Sequence, residues 1–148
     1  MATTSFSAVT AEGVTAEREA ASVTVPTADG EITVLANHIP LVSVLVPGVV
    51  TVRSATDQSA EDAEHLAVSG GFLQVTATSV TVLADTAEQA DQIDLDRAEQ
   101  ARQRATELME ARTEREELTD ASANLQKNLA RLRAAELAGH RRRNRNRR

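Results

Sequence analysis

Ile93-Asp94-Leu95-Asp96-Arg97-Ala98 is the most specific feature of the helical half, and its chemistry is ionic. Asp94 stands near the start of a helical stretch, where the helix dipole favours an acid, and Asp94 and Arg97 are i, i+3 neighbours able to pair. Two further cations, Lys127 and Arg131, stand i, i+4 on a later helical stretch. Covalent chemistry has no comparable support. The 148 residues include no cysteine, which excludes a thiolate nucleophile, a disulfide and a Cys-based zinc site. His38, His65 and His140 lie in separate segments without metal-ligand spacing. No Ser-His-Asp order, phosphate-binding glycine loop or paired-carboxylate pocket can be built from the spacings. No catalytic residue and no metal ligand is assigned.

Charge is laid out unevenly. The net charge is −6, yet Arg141–Arg148 holds six arginines and no acid, which leaves −12 on residues 1–140. An acidic body with a basic end points to partner docking more than to a nucleic-acid surface spread over a fold. No apolar run approaches a membrane span, and the N-terminus lacks the basic-then-apolar order of a signal peptide, so a soluble, cytosolic-side chain is expected.

The frame for these charges is written most clearly in Val25–Val50. Thr27-Ala28-Asp29-Gly30 is a turn between alternating Ser22–Val25 and the nearly all β-branched Ile32–Leu35. Two proline-bearing corners, Asn37-His38-Ile39-Pro40 and Pro47-Gly48, bracket the apolar run Leu41–Val46. Ser5–Thr10 reads as a first strand, Val14–Ala21 leads into the next, and His65–Val68, Phe72–Ala77 and Ser79–Leu83 follow, with Ser69-Gly70-Gly71 as a hairpin or bulge signal. Eight to ten short strands with no helix between them predict a β-sandwich over residues 1–87. With two Phe and no Tyr or Trp, its core must be Val, Leu, Ile and Ala.

From Thr86 there is no Gly or Pro until Gly139, and helix formers dominate. Ala98, Ala101, Ala105, Leu108 and Ala111 or Arg112 mark one helical face, and Leu125, Leu129 and Leu132 another. Thr113–Asp120 is a polar joint, with Thr119 or Asp120 as N-cap of a second helix that Gly139 ends. An antiparallel α-helical hairpin over residues 88–139 and a basic disordered tail over 140–148 are predicted. Its narrow, alanine-rich faces bury little area, so the hairpin is expected to be marginally stable and able to open.

The string V-P-T-x-x-G-E-I-x-x-L-x-x-H-x-P-L-V-x-x-L-x-P-G-V-V over Val25–Val50 resembles the epsilon subunits of bacterial F-type ATP synthases. Val68-Ser69-Gly70-Gly71-Phe72 and Val82-Leu83-Ala84-Asp85-Thr86-Ala87-Glu88 extend the match in the same order. The resemblance implies a sandwich of about ten strands plus a helical hairpin. It also implies a non-catalytic central-stalk subunit that couples proton flow through the c-ring to ATP synthesis via gamma. Partners would be gamma, the c-ring and the alpha/beta catalytic hexamer, with no specific nucleic acid. The place would be the cytoplasmic face of the plasma membrane, peripherally, through the complex.

The resemblance also assigns residues. Glu31 and His38 would face the c-ring and gamma, against the plainer reading of a turn acid and a corner histidine bonded to its own loop. Thr33 stands where the family has Gly, and Ala36-Asn37 where it has Pro-Gly. Lys127, Arg131 and Arg133 of an extended hairpin would meet acidic segments of beta and block ATP hydrolysis. No cofactor is required, but Ile93, Asp94, Arg97 and Ala98 fit a motif that binds regulatory ATP in some members. Glu88, Arg104, Lys127 and Arg131 would complete that site. Lys127 replaces a usual arginine and cannot fork onto phosphate, and members with the motif include weak binders. The alternative from another class is a free-standing β-sandwich adaptor whose helical arm binds a partner protein or anionic polymer.

Overall fold

The computed structural model describes residues 2–57, 59, 62–111 and 115–145, with side chains at 111, 115–119 and 140–145 left aside. Within these, alternation of apolar and polar residues produces β1 (Thr4–Thr10), β2 (Gly13–Ala20), β3 (Ser22–Thr27), β4 (Gly30–Leu35) and β5 (Leu41–Leu45). The series continues with β6 (Gly48–Arg53), β7 (Glu64–Val68), β8 (Gly71–Val75), β9 (Ser79–Ala84) and β10 (Ala87–Gln89). A 3-10 turn over Ala90–Gln92 leads to α1 (Leu95–Ala111) and α2 (Arg115–Arg145).

The strands form two layers. One runs β4-β3-β6-β7-β10 and the other β5-β8-β9-β1-β2. β3 belongs to both, because it pairs with β6 over Ser22–Thr24 and with β5 at Thr27↔Leu45. Ala28 N–H donates to the Val44 carbonyl (3.0 Å) and Val46 N–H to the Pro26 carbonyl (3.2 Å), fastening that junction. At the far seam, Gln89 Nε2 donates to the Thr15 carbonyl (3.4 Å) and Arg18 forms an ion pair with Glu64. The sandwich is therefore almost a closed barrel. Its pairings are antiparallel except β1 with β9, which is parallel.

Ser69-Gly70-Gly71 makes no hairpin. β7 pairs with β6 and β10, and β8 with β5 and β9, so this segment carries the chain from one layer to the other. Both glycines adopt positive φ, 121° and 124°, and a Cβ on Gly71 would lie 2.0 Å from the Leu83 carbonyl oxygen. Phe6, Val23, Val25, Val34, Val50, Val52, Leu66, Leu73, Val75, Val80 and Val82 fill the space between layers, as the composition requires.

At the corner after β4, Asn37 takes φ 60°, the left-handed conformation that Asn tolerates better than other non-glycine residues. The departure from Pro-Gly thus keeps a residue suited to the turn.

The helices differ from expectation in three respects. Thr119 and Asp120 lie inside α2, which already runs from Arg115, so the expected polar joint Thr113–Asp120 is helical from residue 115, and 113–114 lie outside the described residues. Leu129 is 46% exposed, and the buried face of α2 is instead Ala121, Asn128, Ala130, Ala134, Ala135 and Ala138. Alanine wins that face because Ala134 and Ala138 must approach Ala67 of β7 and Ala90 of the 3-10 turn closely, flanked by Val49 and Ile93. Nor does Gly139 end the helix. α2 continues to Arg145, so residues 140–145 of the expected disordered tail are helical and 146–148 lie outside the described residues. A helical glycine costs about 1 kcal/mol against alanine, while arginines are good helix formers and favourable in a last turn.

Candidate functional site

Where β10, the 3-10 turn, α1 and α2 converge, a cleft of about 340 Å³ is lined by Glu88, Gln92, Ile93, Asp94, Arg97, Ala98 and Arg131. The Asp94 carboxylate accepts hydrogen bonds from the backbone N–H groups of Asp96 (3.1 Å) and Arg97 (3.3 Å). It is therefore the N-cap of α1, satisfying amides that the helix leaves open. The capping fixes the first turn, buries Ala98 and leaves Arg97 exposed at the rim.

Arg131 enters from α2. Its Nη2 forms an ion pair with Glu88 Oε1 of β10, and its Nη1 lies 3.4 Å from Asn128 Oδ1. Asn128 is buried and donates its Nδ2 to the Asn124 carbonyl (2.9 Å), which turns its oxygen toward the guanidinium. The Arg131 Nε is enclosed and has no acceptor among the described residues. The cleft thus holds two formal negative and two formal positive charges, and one of its two cations, Arg131, is already engaged.

Six of the eight residues expected for a nucleotide site line this cleft: Glu88, Ile93, Asp94, Arg97, Ala98 and Arg131. Arg104 and Lys127 do not. Arg104 is exposed on α1, and Lys127 lies half-buried one turn before Arg131. Gln92 and Asn128 belong to the site without having been singled out. The signal for Asn128 was its place in the seven-residue series Ala121, Asn128, Ala135, a polar residue in an alanine stripe.

Glu31 is the second residue of β4, and His38 lies three residues beyond the end of that strand. Glu31 is exposed within the strand, opposite Pro26. The His38 Nδ1 lies 2.8 Å from the Ile39 carbonyl oxygen, the contact to its own loop that the plainer reading anticipates. Arg133 is exposed and lines a separate cleft beside Val46, Pro47 and Gly48.

A second surface was not anticipated. On the outer face of the β5-β8-β9-β1-β2 layer, paired residues form an apolar row: Val44 opposite Phe72, Phe72 opposite Leu83, Leu83 opposite Val9, and Val9 opposite Val14. Val44, Phe72, Leu83 and Val14 are 50%, 56%, 44% and 63% exposed. α2 covers β6 and β7 in the other layer and leaves this row open.

Comparison with known proteins accounts for most of the chain. The model of the ATP synthase delta/epsilon chain β-sandwich domain matches residues 3–90, and that of the long α-helix domain of the same chain matches residues 91–136. The chain belongs to the ATP synthase delta/epsilon family. The ATP synthase epsilon chain of Moorella thermoacetica is 42% identical over 91% of this chain and 98% of its own. That of Chloroflexus aggregans is 40% identical over 87% and 89%. In the cryo-EM structure of the Euglena gracilis mitochondrial ATP synthase, OSCP/F1/c-ring, a chain 22% identical has the same fold, with TM-score 0.77 over 92% of this chain and 82% of that one. A chain of the Tetrahymena thermophila central stalk/c-ring structure, 13% identical, gives 0.60 over 89% and 96%. The two matches meet at 90/91, and β10 pairs with β7.

Proposed function

We propose that this chain is a non-catalytic subunit of the ATP synthase central stalk, joining gamma to the c-ring so that proton flow drives ATP synthesis. The observation that carries this reading is the open apolar row Val44–Phe72–Leu83–Val9–Val14. An exposed apolar stripe crossing five strands is the kind of surface that a permanent partner covers. Gamma is the occupant proposed, because central-stalk and c-ring assemblies supply the structural relatives and bacterial epsilon chains the sequence relatives. No helix of the described residues is long and apolar enough to cross a membrane, and peripheral attachment at the cytoplasmic face through the complex follows from the reading.

The hairpin is proposed to restrain ATP hydrolysis when it opens. While docked, Arg131 is held by Glu88 and Lys127 is half-buried, so only Arg133 of the three stands exposed. Opening would free all three for acidic segments of beta. The cleft beneath the hairpin is proposed as a regulatory nucleotide site, with ATP held by Arg97 and Arg131 rather than by the displaced Arg104 and Lys127.

Capture of purified gamma tests the assignment. The full chain should retain gamma, and a Phe72→Glu/Leu83→Glu variant with unchanged circular dichroism should lose it. Failure of the unmodified chain to bind folded gamma would return the adaptor reading to first place.

A further inference from the structure

We infer that the arginine-rich end of α2 is an electrostatic latch, which closes on Asp62 and Asp91 at one end of the sandwich and holds the hairpin docked. Backbone and register carry it. α2 runs unbroken through Gly139 to Arg145. Ala134 and Ala138 turn one face of it to Ala67 and Ala90. Counting on from Ala138 by three, four and seven, the spacing that keeps one helical face, gives Arg141, Arg142 and Arg145. The alanine face that meets the sandwich therefore continues, in register, as three arginine positions within about 10 Å of further helix. The family match stops at residue 136, before this row begins.

The sandwich answers the row with acids. Residues 54–64, between β6 and the start of β7, include Asp57, Glu61, Asp62 and Glu64 and no Lys or Arg. Ala138 lines one small pocket together with Ala63, Glu64, Ala90 and Asp91, so α2 passes the end of the sandwich at this acidic segment and the 3-10 turn. Glu64 is engaged by Arg18, and the Asp57 Oδ2 accepts from Ser54 N–H (2.7 Å). Asp62 and Asp91 flank the point where the helix passes. The Asp62 Oδ2 accepts from Ser59 N–H (3.0 Å) and Ser59 Oγ (3.1 Å), which fixes its carboxylate one residue from Ala63. Asp91 is exposed in the 3-10 turn, next to the buried Ala90 on which α2 rests. An alanine face gives a docked helix little hold, and several ion pairs acting together add a hold that salt can undo. The latch begins about 15 Å along the helix from Arg131, outside the cleft, and is independent of gamma and of any nucleotide.

Hydrogen exchange of the free full-length chain, followed by mass spectrometry, tests it. The Arg141→Gln/Arg142→Gln/Arg145→Gln variant should exchange the α2 amides between Ala121 and Ala138 about five- to tenfold faster in low salt, the scale of three surface pairs. The difference should shrink to less than about twofold at roughly 0.5 M salt, while β8 and β9 stay unchanged. Arg→Lys at the same three positions should restore protection. Asp91→Asn, alone and with Asp62→Asn, should speed the same amides and add little once the three arginines are gone; the single variant is included because Asp62 also fixes its own turn. Unchanged α2 exchange in the glutamine variant would overturn the inference. So would an equal acceleration with and without the two aspartates, which would make the arginines partners of their own helix end and not of the sandwich.

Discussion

Glu88 and Arg131, forty-three residues apart, form the ion pair that joins the last strand of the sandwich to the middle of the long helix. Both side chains are about one-third exposed, so the pair is screened and its contribution is small in absolute terms. It matters because the centre of that interface is alanine against alanine, with only Val49 and Ile93 packed beside it.

A double-mutant cycle with Glu88→Gln and Arg131→Gln should return a coupling of about 0.5–1 kcal/mol. The readout is hydrogen exchange in α2, where opening of the hairpin is expected well below the free energy of global unfolding. Amides in β8 and β9 should not change.

Ala134 has no exposed surface and packs against Ala67 and Ala90. Ala134→Leu inserts three carbons where two backbones need to approach. It should cost about 1–3 kcal/mol of hairpin docking while the sandwich keeps its melting temperature. Faster proteolysis within α2 at unchanged β-sheet circular dichroism would be the signature.

Gly71→Ala should be far more damaging than its size suggests. The new methyl would meet the Leu83 carbonyl at 2.0 Å, on a backbone at φ 124° that side chains rarely adopt. A loss of about 3 kcal/mol or more is expected, read from urea midpoints.

Glu99 and Arg102 form a forked pair along α1, at 2.6 Å for the shortest contact. The hydrogen bond from Arg102 holds the Glu99 carboxyl below its ordinary value of 4.5, assisted by the charge of Arg102, with burial acting in the opposite sense. A lowered folded value means that the pair supports α1 above about pH 4.5 and that this support fades as pH falls through the lowered value. Helicity of the natural chain and of Glu99→Gln should therefore differ near neutrality and converge in acid.

Much of the sandwich was legible in the sequence because a half-buried strand must alternate. Val23 and Val25, or Val50 and Val52, can face the core only with Thr24 and Thr51 facing outward. β10 escaped notice because Ala87-Glu88-Gln89 has helix-forming composition and becomes a strand only through the edge of β7. Ser69-Gly70-Gly71 was ambiguous for a related reason. Glycines announce a change of direction, and only the global pairing decides whether the chain returns to its neighbour or crosses to the other layer. In the helical half, leucine spacing pointed to Leu129, yet close approach selected the smaller side chain. The cleft was visible through Asp94, Arg97 and Arg131, whose spacing follows helical geometry. The exclusion of Arg104 and Lys127 depends on how two helices are rotated against each other, which periodicity alone leaves undetermined.

The stitching of the sandwich along both seams has a mechanical consequence. Two layers joined along one edge behave like a slit tube, which yields to twist because its free edges slide past each other. Here β3 binds the layers on one side, and Arg18–Glu64 with Gln89–Thr15 binds them on the other. The section is closed, and a closed section carries shear around its whole circumference. Cutting the second seam would leave every strand in place and yet turn a stiff body into a compliant one.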